Sequence, residues 1–284
     1  MTSLEWHGQL AAVALRVPDV ERSASFYEDI MGMVRHTDSR GQGAALGWGL
    51  GEPVLELSQG TPGLEHFTLE IPDPGELEGL LIRLRGHGVD VGELADGVHT
   101  VADPDERELH LRGRVGRSGE RTADTGRRPI RLQHLTLATD ALPDVLEFYR
   151  EPMGMRVSDR MAYDFAWLRC GREHHTIAVL GSPSPTLIDH FSFDLAGWPD
   201  FREWGDRLAV AGVDVTWGPG RHGPGNNLFI MFDDPDAFHV ELSAEMELFY
   251  DDRVEYKTRV WEASARTVNL WGQVPPWRAA QPVA

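Results

Sequence analysis

The chain has 284 residues, 41% of them hydrophobic, and a formal net charge of −18, which allows two domains with packed cores and disfavours nucleic acid or anionic membranes as partners. Its apolar runs fall short of the roughly twenty residues that cross a bilayer, and its first residues lack the basic start of a signal peptide, so we expect a cytoplasmic protein. The single cysteine, Cys170, excludes an internal disulfide framework and is expected to be a small buried side chain rather than a nucleophile.

The first half of the sequence predicts a strand, a helix and then short strands. Apolar and polar residues alternate over Leu10 to Val17, which is typical of a half-buried strand. The Pro and Asp residues within 18–20 suit the start of a helix, which is expected to end at Gly32. Short β-rich segments follow at 44–48 and 54–58, and glycine and proline turns separate them.

This order of segments returns in the second half. The pair Phe26-Tyr27 recurs 122 positions later as Phe148-Tyr149, and the segment around His66 recurs 124 positions later around His190. An internal repeat of this kind determines how the whole fold is interpreted. Each half is therefore predicted to contain two β-α-β-β-β units.

The repeat predicts the elements of the second half. Alternation over Leu132 to Ala138 indicates another half-buried strand, and the helix that follows is expected to end at Gly154. Short strands are predicted at 165–169 and 176–180.

The repeat also predicts the domain boundaries. We place a first domain at 1–113, a linker rich in Arg, Gly, Ser and Thr at 114–129, a second domain at 130–243 and a C-terminal tail at 244–284. The tail contains three tryptophans, Trp261, Trp271 and Trp277. Their side chains are expected to pack on the body of the protein or on a partner subunit.

The repeat pattern resembles the vicinal oxygen chelate superfamily, and the two domains with their tail resemble the type I extradiol ring-cleavage dioxygenases. The resemblance covers nearly the whole chain. It implies an α+β fold in which the two units of each domain form a curved, partly open barrel of mixed sheet. It also implies an enzyme that cleaves a small aromatic diol with O2 at a non-haem Fe(II) centre, with Mn(II) as the alternative metal. A homo-oligomer is expected.

Three positions in the second half match the metal ligands of that family. His134 lies near the start of a predicted strand, where alternation places it on the same face as Leu132 and Thr136. His190 lies on the equivalent strand of the next unit, and Glu241 lies on the last strand. Two imidazoles and one carboxylate are the ligands of many non-haem Fe(II) oxygenases and leave adjacent coordination positions open. The resemblance therefore implies that these three side chains bind the metal.

The matching positions in the first half break this set. They are occupied by Ala12, His66 and His110. Because alanine has no ligand atom, the first domain is expected to be metal-free, and the two histidines are expected to be ordinary buried or surface residues. This asymmetry fits the extradiol enzymes and argues against a glyoxalase-like enzyme, in which paired modules build one metal site.

Two further segments resemble parts of the extradiol family. The segment Gly171 to Thr176 resembles a Gly-Arg-x-His-His-Thr motif, whose second histidine acts as acid and base toward substrate and oxygen. The resemblance implies this role for His175, with His174 assisting in the pocket. The segment Gly220 to Asn227 resembles one whose histidine hydrogen-bonds the bound catecholate, which implies that role for His222.

One position departs from the family pattern. Nine residues after His222, where ring-cleaving members usually have a tyrosine that contacts the substrate, the sequence has Met231, which cannot donate a hydrogen bond. A hydroxyl could come instead from one of three tyrosines, Tyr163, Tyr250 or Tyr256. Aromatic residues of the second half indicate a mainly apolar pocket, among them Phe165, Trp167, Phe191 and Trp198.

The sequence leaves three functions open. The resemblance favours an extradiol dioxygenase. Met231 favours another metal-dependent enzyme of the superfamily, such as an oxygenase or isomerase of a natural-product pathway. The third candidate is a metal-free binding or sequestration protein of this fold, which measurement of bound metal would distinguish from the other two.

Overall fold

The computed structural model describes residues 4, 6–36, 43–48, 52–114, 128–162, 164–183, 188–251, 254, 256–272 and 274–276. Within these residues the chain forms two mixed sheets, and none of the helices is long and apolar enough to cross a membrane. Most of the predicted linker lies outside the described residues, as do Tyr163 and Trp277.

The first sheet is built from two consecutive β-α-β-β-β units. The first unit comprises β1 (Gln9–Val17), α1 (Val20–Met31), β2 (Val34–Arg35), β3 (Ala44–Gly47) and β4 (Leu55–Gln59). The second comprises β5 (Gly63–Ile71), α2 (Pro74–Gly86), β6 (Gly92–Glu93), a short 3-10 helix (Ala95–Gly97), β7 (His99–Ala102) and β8 (Glu108–Gly113). The strand order is β2-β3-β4-β1-β5-β8-β7-β6, with β1 antiparallel to β5 where the two units meet.

The second sheet repeats this arrangement. Its first unit comprises β9 (Arg131–Thr139), α3 (Leu142–Arg150), β10 (Arg156–Met161), β11 (Phe165–Arg169) and β12 (Ile177–Gly181). Its second comprises β13 (His190–Asp194), α4 (Trp198–Ala211), β14 (Val215–Arg221), β15 (Leu228–Asp233) and β16 (His239–Ala244). The tail adds β17 (Arg259–Trp261) and α5 (Ala265–Val268). The order β14-β15-β16-β13-β9-β12-β11-β10-β17 confirms the expected α+β fold of tandem mixed sheets.

The ends of the equivalent helices α1 and α3 differ. The side chain of Asp19 caps the start of α1, and Gly32 ends it in the left-handed conformation at φ 64°, as predicted. The predicted end of α3 at Gly154 is wrong, because this helix already ends at Arg150. Pro152 has no backbone N–H with which to continue the helical hydrogen bonds, so the chain turns before it reaches the glycine.

Strand β9 is more deeply buried than the predicted half-buried strand. It lies between β12 and β13 at the centre of the sheet, and every residue after the first is buried. The pairing with β13 shifts register around Gln133, which is a β-bulge. As a result Leu132 packs in the core with Leu135, whereas His134 and Thr136 line a cavity. The expectation that Leu132 shares a face with His134 is therefore wrong.

Two tyrosine–aspartate hydrogen bonds join the halves reciprocally. Tyr27 on α1 donates to Asp234 in the second half at 2.8 Å, and the repeat-equivalent Tyr149 on α3 donates to Asp103 in the first half at 3.1 Å. All four residues are buried, so losing either partner would leave a polar group unsatisfied. Each half thus supplies a donor and an acceptor to the other.

Candidate metal centre

The three predicted ligands meet on adjacent strands at the centre of the second sheet. Ser192 on β13 lies opposite both His134 on β9 and Glu241 on β16. One ligand atom from each of His134, His190 and Glu241 lies within 4.8 Å of the other two. The Nε2 atom of each histidine is 3.6 Å from a carboxylate oxygen of Glu241. Three ligands about 2 Å from one divalent ion are compatible with these separations.

Hydrogen bonds behind the two histidines orient their rings. Nδ1 of His134 lies 3.1 Å from Oε1 of Gln133, and Nδ1 of His190 lies 2.6 Å from Oδ1 of Asp189. Amide and carboxylate oxygens only accept, so each Nδ1 carries the hydrogen. This leaves the Nε2 lone pair of both rings available to a metal ion.

The carboxylate of Glu241 is fully buried and only half satisfied. Its Oε1 atom lies 3.3 Å from the Ser192 hydroxyl and 3.4 Å from Nδ2 of Asn227, whereas Oε2 has no hydrogen-bond partner among the described residues. Burial would raise the pKa of Glu241, but His134 and His222 lower it to about 2. A buried ionised oxygen without a donor is costly, and a bound cation would remove that cost. The residues therefore fit a divalent metal ion.

Burial keeps two histidines of the centre neutral. It lowers the pKa of His134 to about 3, although the charge of Glu241 raises it, and together with the neighbouring histidines it lowers the pKa of His175 well below its usual value. Neutral imidazole is the form that binds a metal ion or accepts a proton.

His175 lines the cavity beside the predicted ligands, and His174 contacts it from behind. The Nδ1 atoms of these two histidines are 3.0 Å apart. Nε2 of His174 is 3.0 Å from Oδ2 of Asp159, a close contact that is poorly aligned for a hydrogen bond. The carboxylate still favours the hydrogen on that Nε2, so Nδ1 of His174 accepts from Nδ1 of His175. Nε2 of His175 is then an acceptor, while His174 is absent from the described cavity wall.

His222 follows β14 and is oriented by the tail. Its Nδ1 atom lies 2.5 Å from the carbonyl oxygen of Val268, which can only accept, so Nδ1 donates. Its ring stacks on Phe229 at a centroid distance of 3.9 Å. Nε2 of His222 lies 3.6 Å from Oε2 of Glu241, on the cavity side of the ring.

The cavity in front of these residues has a volume of about 450 Å³, including its mouth. Its walls are largely apolar and include Phe165, Trp167, Trp217, Met231 and Val268. Two of the four aromatic residues predicted for the pocket therefore line it. The other two do not, since Phe191 is in the core and Trp198 is 49% exposed on α4.

A family model for the Glyoxalase/Bleomycin resistance protein/Dioxygenase superfamily matches residues 9–106 and 131–242. The chain belongs to this superfamily. The matched ranges include the strands that carry His134, His190 and Glu241.

Relatives within the superfamily include extradiol dioxygenases. A manganese-dependent 2,3-dihydroxybiphenyl 1,2-dioxygenase of Geobacillus genomosp. 3 is 24% identical over 275 residues, which cover 84% of this chain and 85% of that enzyme. Metapyrocatechase 2 of Cupriavidus necator is 34% identical over 121 residues, which cover 42% of this chain and only 38% of that enzyme. The Mn(II)-bound glyoxalase from Novosphingobium aromaticivorans shares the fold, with a TM-score of 0.84, 24% identity and coverage of 100% of this chain and 96% of that chain.

Met231 lies in the wall of the cavity beside the proposed metal ligands. It is fully buried, lies opposite Glu241 in the β15–β16 pairing and lines the cavity. Tyr250 and Tyr256 are 76% and 37% exposed and lie outside the cavity wall. Within the described part of the chain, the hydroxyl that lines the cavity belongs to Thr136, at 3.1 Å from Nε2 of His190.

Residues of the cavity that sequence reasoning missed include Asn227, Trp217 and Val268. Asn227 falls in the segment that singled out His222, and its amide could have been recognised there as a partner for a buried carboxylate. Trp217 precedes the same segment on β14. Val268 carries no local signal, because its position depends on where the tail packs.

Proposed function

We propose that this protein is an extradiol dioxygenase, which uses O2 to open a catechol-type ring beside its two hydroxyl groups. The buried, ionised Glu241 carries the proposal, because its unpartnered Oε2 lies between histidine Nε2 atoms in an apolar cavity. The similarity to a 2,3-dihydroxybiphenyl 1,2-dioxygenase over most of both chains supports the same reaction class. Both atoms of O2 enter the product and one ring C–C bond breaks, so the reaction needs no external reductant.

The proposed ligands of the metal are His134, His190 and Glu241. Fe(II), or Mn(II) as in the relative from Geobacillus, would supply the Lewis acidity that favours an ionised catechol and the redox chemistry that O2 requires. Iron is preferred over manganese from family precedent only, because both metals accept two imidazoles and a carboxylate.

The remaining polar residues of the cavity are proposed to handle protons. His175 is neutral at pH 7 and presents Nε2 as an acceptor, so it can take a hydroxyl proton from the substrate. His174 holds the ring of His175 in that tautomer from behind. Nε2 of His222 can accept a hydrogen bond from the second hydroxyl, and the Val268 carbonyl stabilises the ring if it becomes protonated.

The apolar walls complete the proposed site. Phe165, Trp167 and Trp217 surround the polar centre and exclude water, which strengthens charge interactions inside the cavity. A flat aromatic ring would pack against such side chains, and its substituents would meet them first.

Oxygen uptake tests the proposal directly. The full chain would be stripped of metal, reloaded anaerobically with Fe(II) or Mn(II), and given catechols of different bulk before O2 is admitted. We expect one O2 consumed per diol and a yellow ring-opened product. Protein reloaded with Zn(II), which has no redox chemistry, is the matched control and should consume none. Absence of uptake with either redox metal across the whole panel would contradict the proposal.

Met231 favours a second candidate, another metal-dependent enzyme of the superfamily such as an oxygenase or isomerase of a natural-product pathway. Its thioether lies where ring-cleaving enzymes usually have a tyrosine, and no tyrosine lines the described part of the cavity. Metal-loaded protein that binds a catechol but consumes no O2 would support this candidate. Protein that retains only trace metal after anaerobic reloading would instead support a metal-free binding function.

A further inference from the structure

A second group of ligand-type side chains lies in the first half, on β5 and β8. The ligand atoms of His66, Glu108 and His110 all lie within 4.8 Å of one another. Nε2 of His110 is 2.7 Å from Oε1 of Glu108, and the rings of the two histidines stack with their centroids 3.8 Å apart. The group lies outside the cavity described above.

The register of the first sheet places this group where the second sheet has its metal centre. Thr68 on β5 lies opposite both Ala12 on β1 and His110 on β8. Ser192 on β13 lies opposite two of the proposed metal ligands in the same way. The two groups are therefore repeat-equivalent in space as well as in sequence.

Glu108 supplies a ligand atom in place of the one that Ala12 lacks. His66 lies where the second sheet has His190, but Ala12 offers no ligand atom. Glu108 precedes His110 by two positions on β8, so its side chain lies on the same face of the strand. Glu108, whose repeat-equivalent in the second sheet is His239, thus completes a set of three.

One imidazole of the group is neutral, and a further carboxyl group lies near it. Burial and the neighbouring charge of His110 lower the pKa of His66 to about 4, so this imidazole is neutral at pH 7 and can act as a ligand. Glu56 on β4 lies near the group, and burial raises the pKa of its carboxyl group although His110 and Arg112 lower it. Two imidazoles and the carboxylate of Glu108 form a donor set that divalent transition metals accept.

We propose that His66, Glu108 and His110 bind a divalent transition-metal ion of the Zn(II) type, which ties β5 to β8. The side chain of Glu108 is 53% exposed, whereas Glu241 in the second half is fully buried. Water can therefore complete the coordination of an ion in the first half, and its affinity is expected to be weaker than that of the buried centre. The site is structural and independent of the proposed reaction.

Metal stoichiometry tests the proposal. Metal-stripped full chain would be titrated with Zn(II) by calorimetry, and bound zinc would be measured after desalting. We expect two equivalents in the wild type and one in His66→Ala/His110→Ala, with loss of the zinc-dependent rise in Tm that belongs to the weaker site. His7→Ala removes a histidine that contacts Glu76, outside both groups of proposed ligands, and should keep two equivalents.

The outcomes are separable from those of the proposed function. His134→Ala should also bind one equivalent, but at the weaker site, and it alone should lose oxygen uptake. If the double variant fails to fold, Glu108→Gln changes a half-exposed side chain and should lower the affinity of the second equivalent at least tenfold. Equal zinc content in the wild type and the double variant, or a single equivalent in the wild type, would overturn the proposal.

Discussion

The charge of Glu241 dominates the proposed metal centre at the scale of single residues. Its Oε2 atom is buried without a hydrogen-bond donor among the described residues, so the carboxylate is stable there only if positive charge compensates it. A divalent ion would supply that charge.

Replacing this charge without changing the shape gives the first prediction. Glu241→Gln should lower metal affinity by at least about 100-fold and reduce oxygen uptake in proportion, because a neutral amide is a poor ligand. Bound metal after dialysis and initial rates would be measured together. His239→Asn, on the same strand but paired with Asp233 outside the cavity, is the matched control and should behave as wild type.

Proton transfer by His175 gives the second prediction. His175→Gln should lower turnover by about 10²–10⁴-fold and leave metal content unchanged, because the ring lines the cavity without belonging to the ligand set. His174→Gln should cause a smaller loss and a changed pH profile, since His174 acts only through His175. Equal losses in both variants, or a parallel loss of metal, would contradict these roles.

Strand β17 connects the tail to the residues behind His175. Asp159 on β10 accepts hydrogen bonds from Arg259 at 2.7 Å and from Trp261 at 2.7 Å, and it also contacts His174. The pKa of Asp159 is lowered because the contacts with His174 and Arg259 outweigh the effect of burial. One carboxylate therefore holds both the tail and the residue behind His175.

The third prediction separates these two effects. Asp159→Asn should lower the free energy of unfolding by about 1–3 kcal/mol, less than for a fully buried ion pair, because solvent screens the partly exposed Arg259. It should also lower turnover. Arg259→Gln should lower stability while turnover is retained, because the contact between Asp159 and His174 remains. Denaturant titration and oxygen uptake would be measured on both variants. Retained turnover in Asp159→Asn would show that His174 needs no carboxylate.

At the scale of elements, the sequence predicts the features that both halves share. It misses features that depend on contacts between distant parts of the chain. The β-α-β-β-β units and the positions of His134 and His190 follow from alternation and from equivalent residues in each half. The bulge at Gln133 and the burial of β9 depend on neighbouring strands, so alternation alone assigns Leu132 to the wrong face. Val268 reaches the cavity only through tertiary packing of the tail.

The hydrogen bonds between the halves contribute to the stability of the whole molecule. Asp234 makes that stability depend on pH. Burial raises the pKa of Asp234 to about 6, although Tyr27 and two backbone N–H groups donate to it. In the unfolded chain its pKa is about 4. Between these values the folded state binds the proton more readily, so this residue makes stability fall as pH rises from 4 to 6.

The fourth prediction follows from this fall in stability between pH 4 and 6. Asp234→Asn should remove a pH-dependent loss of about 3 kcal/mol between pH 4 and 6, because the amide stays neutral and can keep the same partners. Urea unfolding of the variant and the wild type would be compared at each pH, so that other carboxylates cancel in the difference. Tyr27→Phe keeps the carboxylate and should keep or steepen the slope. Identical slopes in Asp234→Asn and the wild type would contradict the assignment.

Substitutions at the reciprocal tyrosine–aspartate bonds are expected to affect the stability of the fold and to leave the proposed chemistry unchanged. The proposed catalytic side chains all lie in the second half, while Tyr27 and Asp103 in the first half support it from outside. A substitution near those supports changes how many molecules reach the native state, and a loss of about 1–2 kcal/mol alters cellular abundance several-fold. Variants with such substitutions would differ in the amount of folded protein. Each folded molecule would keep the same substrate preference.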